Sequence, residues 1–189
     1  KEYSVSFIRN KISFIKNEML SDGEIDKYLA SPPEKVAIKV YREYEKILKR
    51  NNAVDFDDLL KRPVELFLNN ESVLGKYQEK FKYILIDEYQ DTNEVQYKLV
   101  KLLASKYRNL FVVGDVNQSI YGFRWSNYKN ILNFEKDYPE AISITLNQNY
   151  RSTNTILNAA NSVIKNNKER REVNLFSTFG DGVKIKYLR

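Results

Sequence analysis

The sequence contains neither cysteine nor histidine among its 189 residues. Disulfide bonds and metal sites built from thiolates or imidazoles are therefore excluded, and a reducing compartment, the cytoplasm, is the expected location. Any bound metal ion must be held by oxygen ligands, which favours magnesium, calcium or manganese.

Long apolar runs are also missing. No stretch approaches the roughly 20 apolar residues that a membrane-spanning helix requires, and the N-terminus has no signal-peptide core. In contrast, 42% of the residues are hydrophobic and 13% are aromatic, which is typical of a folded globular protein rather than a disordered one. The composition predicts a soluble protein with no membrane partner.

The net charge of +6 is modest, and a solvated lysine-rich surface explains it as well as a polyanionic partner does. The charge is uneven, however. Residues 101–130 carry five basic residues against the single acid Asp115: Lys101, Lys106, Arg108, Arg124 and Lys129. A nucleic-acid backbone and plain solvation remain alternative explanations of this segment.

Helical patterns fill the first 82 residues. Apolar side chains recur at helical spacing from Ile8 to Met19, a short helix is predicted over 24–29, and residues 31–34 (Ser-Pro-Pro-Glu) have the layout of a capping box. Asp55 is expected to cap a later helix, in which Pro63 predicts a kink.

The pattern then changes to strand, helix, strand. Residues 83–86 predict a strand buried on both faces, 95–103 a helix and 110–113 a second strand, which together form a βαβ unit of a parallel sheet. We further predict a helix through 131–138, strands at 142–146 and 183–188, and a helix capped by Ser152 or Thr153. The expected fold class is α/β, with an all-helical N-terminal segment.

Polar residues follow three of these strands. Asp87 and Glu88 end the first, Asp115 and Gln118 follow the second, and Arg151 follows the third. Ligands of open α/β sheets bind beyond the carboxyl ends of the strands, so these side chains could meet at one triphosphate. Taken alone, the acidic pair is equally consistent with an aspartate that caps a helix.

The loop of residues 121–128 alternates aromatic and polar residues: Tyr-Gly-Phe-Arg-Trp-Ser-Asn-Tyr. One interpretation is the buried face of a strand. The other is a surface for single-stranded nucleic acid, on which bases stack on aromatic rings.

Four segments carry a resemblance to a known family: residues 54–60 (Val-Asp-Phe-Asp-Asp-Leu-Leu), 87–93 (Asp-Glu-Tyr-Gln-Asp-Thr-Asn), 113–121 (Val-Gly-Asp-Val-Asn-Gln-Ser-Ile-Tyr) and 146–153 (Leu-Asn-Gln-Asn-Tyr-Arg-Ser-Thr). The last three resemble motifs II, III and IV of the UvrD/PcrA/Rep-like superfamily 1 DNA helicases, and they occur in that family's order. The first resembles the segment before motif II.

This resemblance implies ATP and Mg²⁺ as cofactors and assigns a role to each site residue. Asp87 would hold the Mg²⁺, Glu88 would deprotonate the attacking water, and Gln118 would contact the γ-phosphate. Arg151 would act as an arginine finger that both binds the nucleotide and neutralises developing charge. The implied partners are single-stranded DNA, duplex junctions, and repair or replication proteins.

The resemblance also places the aromatic loop on DNA. The implied contact residues are Tyr121, Phe123, Arg124 and Trp125. Phe123 stands where the family usually has tryptophan, and Trp125 where glycine is common, so either ring could stack on a base.

One family feature is missing: the chain has no Gly-x-x-x-x-Gly-Lys-Ser/Thr phosphate loop, since Gly75-Lys76 is followed by tyrosine. The chain therefore reads as a fragment with an incomplete RecA-like (P-loop NTPase type) parallel sheet. Its expected parts are a helical insert at 1–54, the later part of a first motor domain at 55–145, and the start of a second at 146–189. We expect a helicase that moves 3′ to 5′ on single-stranded DNA, with little ATPase activity in the 189 residues alone.

Two other functions compete with this prediction. The chain could be a non-catalytic module that binds nucleic acid or protein on a helicase scaffold. Alternatively, Asp87, Glu88, Asp91 and Asp115 could form a metal-dependent nuclease site.

Overall fold

The structure is a computed structural model that describes residues 3–168 and 173–187. It divides into two compact units. The first unit is Lys1–Gly114 with Ser119–Ile131, and the second is Asp115–Gln118 with Leu132–Arg189. The segment 113–121 is therefore divided between the two.

The first unit begins with five helices: α1 (Val5–Asn17), α2 (Asp22–Tyr28), α3 (Pro32–Arg50), α4 (Asp58–Asn69) and α5 (Glu71–Lys80). The predicted helical N-terminal segment is confirmed. The capping box at α3 is present: the Glu34 carboxylate accepts from the backbone N–H of Ser31 (3.1 Å) and from its hydroxyl (2.7 Å). Pro63 lies inside α4.

The apolar core of this helical region lies between α1, α2 and α3. It consists of the buried side chains of Ile12, Ile15, Ile25, Leu29, Ile38 and Tyr41. The spacing of these residues follows the helical period, so each helix turns one apolar stripe toward its neighbours.

A buried ionic cluster joins α1, α3 and α4. The Lys16 ammonium, whose side chain is 0% exposed, lies 2.7 Å from a Glu45 oxygen, 2.8 Å from Asp55 and 3.1 Å from Asp58. Asp55 Oδ1 also accepts from the backbone N–H of Asp58 (2.9 Å), the first residue of α4, but the N-cap position itself is occupied by Asp57 and not by Asp55 as predicted. A lone buried charge is costly, and here three carboxylates compensate it.

Burial alone would lower the pKa of Lys16, but its hydrogen bonds to Asp55, Glu45 and Asp58 raise that pKa above the ordinary value. Burial would raise the pKa of Asp55. The hydrogen bonds from Lys16, the Asp58 N–H and the Tyr44 hydroxyl instead hold it below its ordinary range. Both groups are therefore charged across the neutral range.

The predicted βαβ unit is confirmed in the first unit. Strand β1 (Ile84–Ile86) pairs in parallel with β2 (Leu110–Val112), with Ile84 opposite Leu110 and Ile86 opposite Val112. Helix α6 (Glu94–Ala104) connects them and contacts α4 and α5. This places the ends of both strands, at residues 86 and 112, side by side.

The prediction that β1 is buried on both faces is wrong for this structure. The paired residues Leu85 and Phe111 are 74% and 61% exposed, and they share one face because side chains alternate across a strand. Ile84 and Ile86, on the other face, are partly buried. The described sheet has two strands and one covered face.

Short helices complete the described chain: 3-10 turns at Tyr89–Asp91, Val116–Gln118 and Gly122–Arg124, then α7 (Lys129–Leu132), α8 (Phe134–Asp137) and α9 (Asn154–Ile164). The single helix predicted through 131–138 is wrong, since it breaks at Asn133. Helix α9 begins after Thr153, one of the two predicted caps.

The strand predicted at 142–146 is not observed. The strand predicted at 183–188 is not observed over 183–187, and Leu188 lies outside the described residues. A strand needs a ladder partner, and the described chain provides none along either segment. Their apolar residues Ile142, Ile144 and Val183 are exposed. In the second unit a parallel bridge joins Gln148 to Phe176.

Among the described residues, none of the helices combines the length and the apolar character that crossing a membrane requires.

Candidate functional site

Asp87 and Glu88 lie directly after β1, and both are exposed. The strand pairing continues into this turn: Val113 N donates to Ile86 O (2.8 Å), and Tyr89 N donates to Val113 O (2.9 Å). These two bonds tie the turn to the end of β2. The acidic pair is thus held by backbone on both sides.

Glu88 has a left-handed backbone, with φ 51° and ψ 43°. This conformation is uncommon for a residue other than glycine, and such strain is concentrated at functional sites. The Glu88 N–H donates to Asp87 Oδ1 at 2.9 Å, which supports the tight turn. The carboxylate of one acid therefore stabilises the backbone of the other.

Gln90 contacts the Glu88 side chain. Its Nε2 donates to Glu88 Oε2 at 2.7 Å, while Gln90 itself is only 1% exposed. Ser119 Oγ donates to the Gln90 carbonyl at 3.4 Å. Gln90 lies within one of the motifs, but the sequence analysis gave it no role. The direction of a glutamine side chain in a turn cannot be predicted from the neighbouring residues.

Asparagines fix the end of the same turn. The Asn130 amide donates to both the carbonyl and the hydroxyl of Thr92 (3.1 Å each), and Asn127 N donates to Thr92 O (2.8 Å). Asn93 caps α6 and donates from its Nδ2 to Asn17 Oδ1 on α1 at 2.7 Å. The turn is therefore bonded to α1, to the aromatic loop at Asn127, and to Asn130 just after that loop.

Asp91 completes the acidic group. Burial raises the pKa of Asp91 above its ordinary value, and the negative charge of Glu88 adds to this rise.

Aromatic residues of the loop fall into two environments. The Trp125 ring lies 4.9 Å, centroid to centroid, from the Phe14 ring of α1, and it is partly buried. Phe123 is 72% exposed. The Arg124 guanidinium lies 5.5 Å from the ring centroids of both Tyr121 and Phe123, a cation–π arrangement. The simple strand interpretation is wrong, because the loop contains a 3-10 turn at Gly122–Arg124.

Two predicted site residues belong to the second unit. Gln118 Nε2 donates to Asp115 Oδ2 at 2.9 Å, and Asn117 N donates to Asp115 Oδ1 at 2.9 Å. Arg151 is exposed two residues before the Thr153 cap of α9, and its backbone N donates to Asn149 Oδ1 (2.9 Å). Asp115 thus orients the predicted phosphate-contacting glutamine.

The donor chemistry of the acidic pair fits Mg²⁺, although not as a closed protein cage. Residues 3–168 and 173–187 contain no group of three or more acidic side chains that could hold a metal ion. Asp87 and Glu88 instead present adjacent exposed carboxylates, and Mg²⁺ commonly takes one or two carboxylates together with substrate phosphates. The four-carboxylate nuclease site finds no support in this part of the chain.

Comparison with known proteins decides the family. Residues 2–139 match the family model described as the UvrD/REP helicase N-terminal domain. The chain belongs to the UvrD/REP helicase family. Residues 144–189 of this UvrD/REP family member match a second family model, the UvrD-like helicase C-terminal domain. The resemblance drawn from the motifs is confirmed.

Curated relatives in the UvrD/REP family include two staphylococcal proteins named ATP-dependent DNA helicase PcrA. The Staphylococcus aureus protein is 51% identical over 187 residues, and the Staphylococcus epidermidis protein is 49% identical over the same length. Each match covers 99% of this chain and 26% of the relative. The chain thus spans about a quarter of the length of these relatives.

Proposed function

We propose that this chain is part of the motor of an ATP-dependent DNA helicase that moves 3′ to 5′ on single-stranded DNA. The observation that carries the proposal is the family match over residues 2–139, which contain the exposed Asp87–Glu88 pair. The names of the 49–51% identical relatives support ATP as the substrate and DNA as the partner.

The proposed architecture is an incomplete RecA-like sheet divided as the motifs suggest: a helical insert at 1–54, the later part of a first motor domain at 55–145 and the start of a second at 146–189. The parallel pairing of β1 with β2 supports it. Single-stranded DNA, duplex junctions and repair or replication proteins are the proposed partners, and the absence of cysteine suits a cytoplasmic location.

Asp87 would hold Mg²⁺, which when bound supplies positive charge to the β- and γ-phosphates of ATP. Glu88 would accept a proton from the attacking water. The bond from Gln90 to one Glu88 oxygen leaves the other oxygen of that carboxylate to face the water. Gln118, oriented by Asp115, would contact the γ-phosphate, and Arg151 would neutralise charge on the transferring group.

Single-stranded DNA would bind at the aromatic loop, with Phe123 as the stacking ring. Phe123 is exposed, whereas Trp125 packs on Phe14 and is better suited to anchor the loop on α1. Arg124 would pair with a phosphate, because its guanidinium stays at the surface between the rings of Tyr121 and Phe123.

The test is ATP hydrolysis by the full-length gene product, with and without single-stranded DNA, and unwinding of duplexes that carry a 3′ or a 5′ tail. Glu88→Gln should lower DNA-stimulated kcat by about 10²- to 10⁴-fold, the contribution of a general base. Glu43→Gln, an exposed glutamate on α3, is the matched control and should leave kcat unchanged.

Full turnover by Glu88→Gln would contradict the assignment of the base. If the unsubstituted protein binds DNA but does not hydrolyse ATP, the result would favour the non-catalytic module. Cleavage of DNA with magnesium and no ATP would favour the nuclease.

The 189 residues alone contain no phosphate-binding Gly-x-x-x-x-Gly-Lys-Ser/Thr sequence. We expect them to show little or no ATPase activity, because that loop supplies the backbone amides and the lysine that hold the phosphates. Robust DNA-stimulated turnover by the 189 residues, abolished by Glu88→Gln, is the result that contradicts this expectation.

A further inference from the structure

We propose that Gln90 is a positioning residue that holds the Glu88 carboxylate in its working orientation, and that Gly114 preserves the space that the Gln90 amide needs. The inference rests on the proposed function, since it takes Glu88 as the base that acts on the attacking water. It concerns two residues to which the motif comparison gave no role.

The two partners of this hydrogen bond differ in burial. Glu88 is exposed, and an unrestrained glutamate side chain loses rotational entropy when it is fixed in place. Gln90 is 1% exposed and already confined by packing. Its 2.7 Å bond from Nε2 to Glu88 Oε2 therefore connects an exposed carboxylate to a buried amide.

The bond also makes the two oxygens of Glu88 unequal. Oε2 already accepts from the amide, so Oε1 is the better acceptor of a proton from water. A base held in one orientation before the reaction needs no reorganisation during it. Misplacement of a catalytic group by about 1 Å can reduce the rate about 100-fold.

Gly114 lies directly beside the Gln90 amide. A Cβ atom at this position would lie 2.6 Å from Gln90 Oε1, 2.8 Å from Ile131 Cδ1 and 3.2 Å from Tyr89 N. Gly114 does not have a positive φ, so its backbone does not require glycine. Glycine is required here by space, because the missing side chain leaves room for the Gln90 amide beside the end of β2.

Alanine at position 114 would therefore act through Gln90. The Ile131 methyl is the end of a flexible side chain and can turn away, whereas the Gln90 amide is confined and bonded to Glu88. Displacement of the amide would lengthen or break that bond. The two substitutions should then affect the same step.

The experiment measures DNA-stimulated ATP hydrolysis by the full-length protein. Gln90→Met keeps the length and packing of the side chain and removes the donor, and Gln90→Glu keeps its shape and places a second carboxylate beside Glu88. The matched control is Gln78→Met, because Gln78 is also buried and its Nε2 donates to Leu102 O at 2.8 Å, on α6. Glu88→Gln is the reference for loss of the base.

We expect Gln90→Met to lower kcat by about 10- to 100-fold, with the KM for ATP and the affinity for single-stranded DNA within about threefold of the unsubstituted protein. Gln90→Glu should lower kcat at least as much, because like charges repel at this distance. Gln78→Met should leave kcat within about twofold, even if its melting temperature falls. This split between kcat and KM is not expected of a purely structural role.

A double-mutant cycle tests the part played by Gly114. Gly114→Ala alone should lower kcat by a factor similar to Gln90→Met, but it should add less than about threefold in a Gln90→Ala background, where the obstructing amide is gone. A full, independent effect of Gly114→Ala in that background would overturn this half of the proposal.

The outcomes distinguish failure of the positioning role of Gln90 from failure of the proposed function. If Glu88→Gln abolishes turnover while Gln90→Met and Gln90→Glu both keep kcat within twofold, the positioning role is wrong and the proposed function stands. If Glu88→Gln itself keeps full turnover, both are overturned. If Gln90→Met does not fold, Gln90→Glu carries the same test with a side chain of nearly identical shape.

Discussion

Replacement of Lys16 with methionine is expected to destabilise the first unit strongly. Removal of one partner of a buried ion pair leaves uncompensated charge and typically costs about 3–5 kcal/mol. Here the ammonium is fully buried and touches Glu45, Asp55 and Asp58, of which Asp58 is itself fully buried. For a chain of this size the loss corresponds to a melting temperature about 6–20 °C lower.

Thermal unfolding of the 189 residues, followed by tryptophan fluorescence, measures this loss. Trp125 is the single tryptophan of the chain and packs against Phe14 on α1, so its emission reports on the unit that contains the cluster. The matched control is Lys46→Met, which removes an exposed ion pair with Glu43 and should cost about 0–1 kcal/mol. Equal losses in the two variants would refute the reasoning.

The pH dependence gives a second check on the cluster. The folded-state pKa of Asp55 is lowered, so Asp55 contributes stability above its unfolded pKa, and that stability is lost as the pH falls through the folded pKa. Without Lys16, Asp55 lacks the strongest of the hydrogen bonds that lower its pKa, so the variant has less of this pH-dependent stability to lose. The difference in stability between the two proteins should therefore narrow as the pH falls below about 4.

Three further predictions follow from the described contacts. Phe123→Ala should weaken single-stranded DNA binding by about 1–3 kcal/mol, whereas Trp125→Ala should mainly lower the melting temperature; equal binding losses would contradict the assignment of the stacking ring. Asn93→Ala should cost about 1–2 kcal/mol in urea unfolding, because it removes the α6 cap. The hydrogen bond from Lys11, and then that from the Ser31 hydroxyl, lower the pKa of Glu34 to about 2, so an NMR titration of Glu34 should have its midpoint near that pH and Lys11→Met should raise the midpoint. The stability that this contact contributes should be present above a pH of about 4.3 and lost as the pH falls toward 2.

Local patterns predicted the elements whose stability is local. The capping box at Ser31–Glu34 and the apolar spacing of α1 and α6 are contained in short windows of sequence, and all three appear in the structure. The βαβ unit could be predicted in the same way, since its strands are short apolar runs separated by a helix. The family itself followed from three motifs in the right order.

Features that depend on distant partners could not be predicted in the same way. Residues 142–146 have the apolar alternation of a strand, but strand formation requires a neighbour, and the described chain supplies none. Lys16 is 39 residues from Asp55, and nothing in its own helix marks it as buried. The Gln90–Glu88 bond depends on a turn whose left-handed residue is a glutamate, where sequence rules expect glycine.

The left-handed backbone of Glu88 also has a consequence for protein engineering. Glycine or asparagine adopts φ 51° more readily than glutamate does, so a screen that rewards heat resistance alone should favour replacement at position 88. Such clones would be more stable and, if Glu88 is the base, inactive. Any stabilisation of this UvrD/REP family member should therefore leave residue 88 unchanged and introduce substitutions elsewhere in the fold.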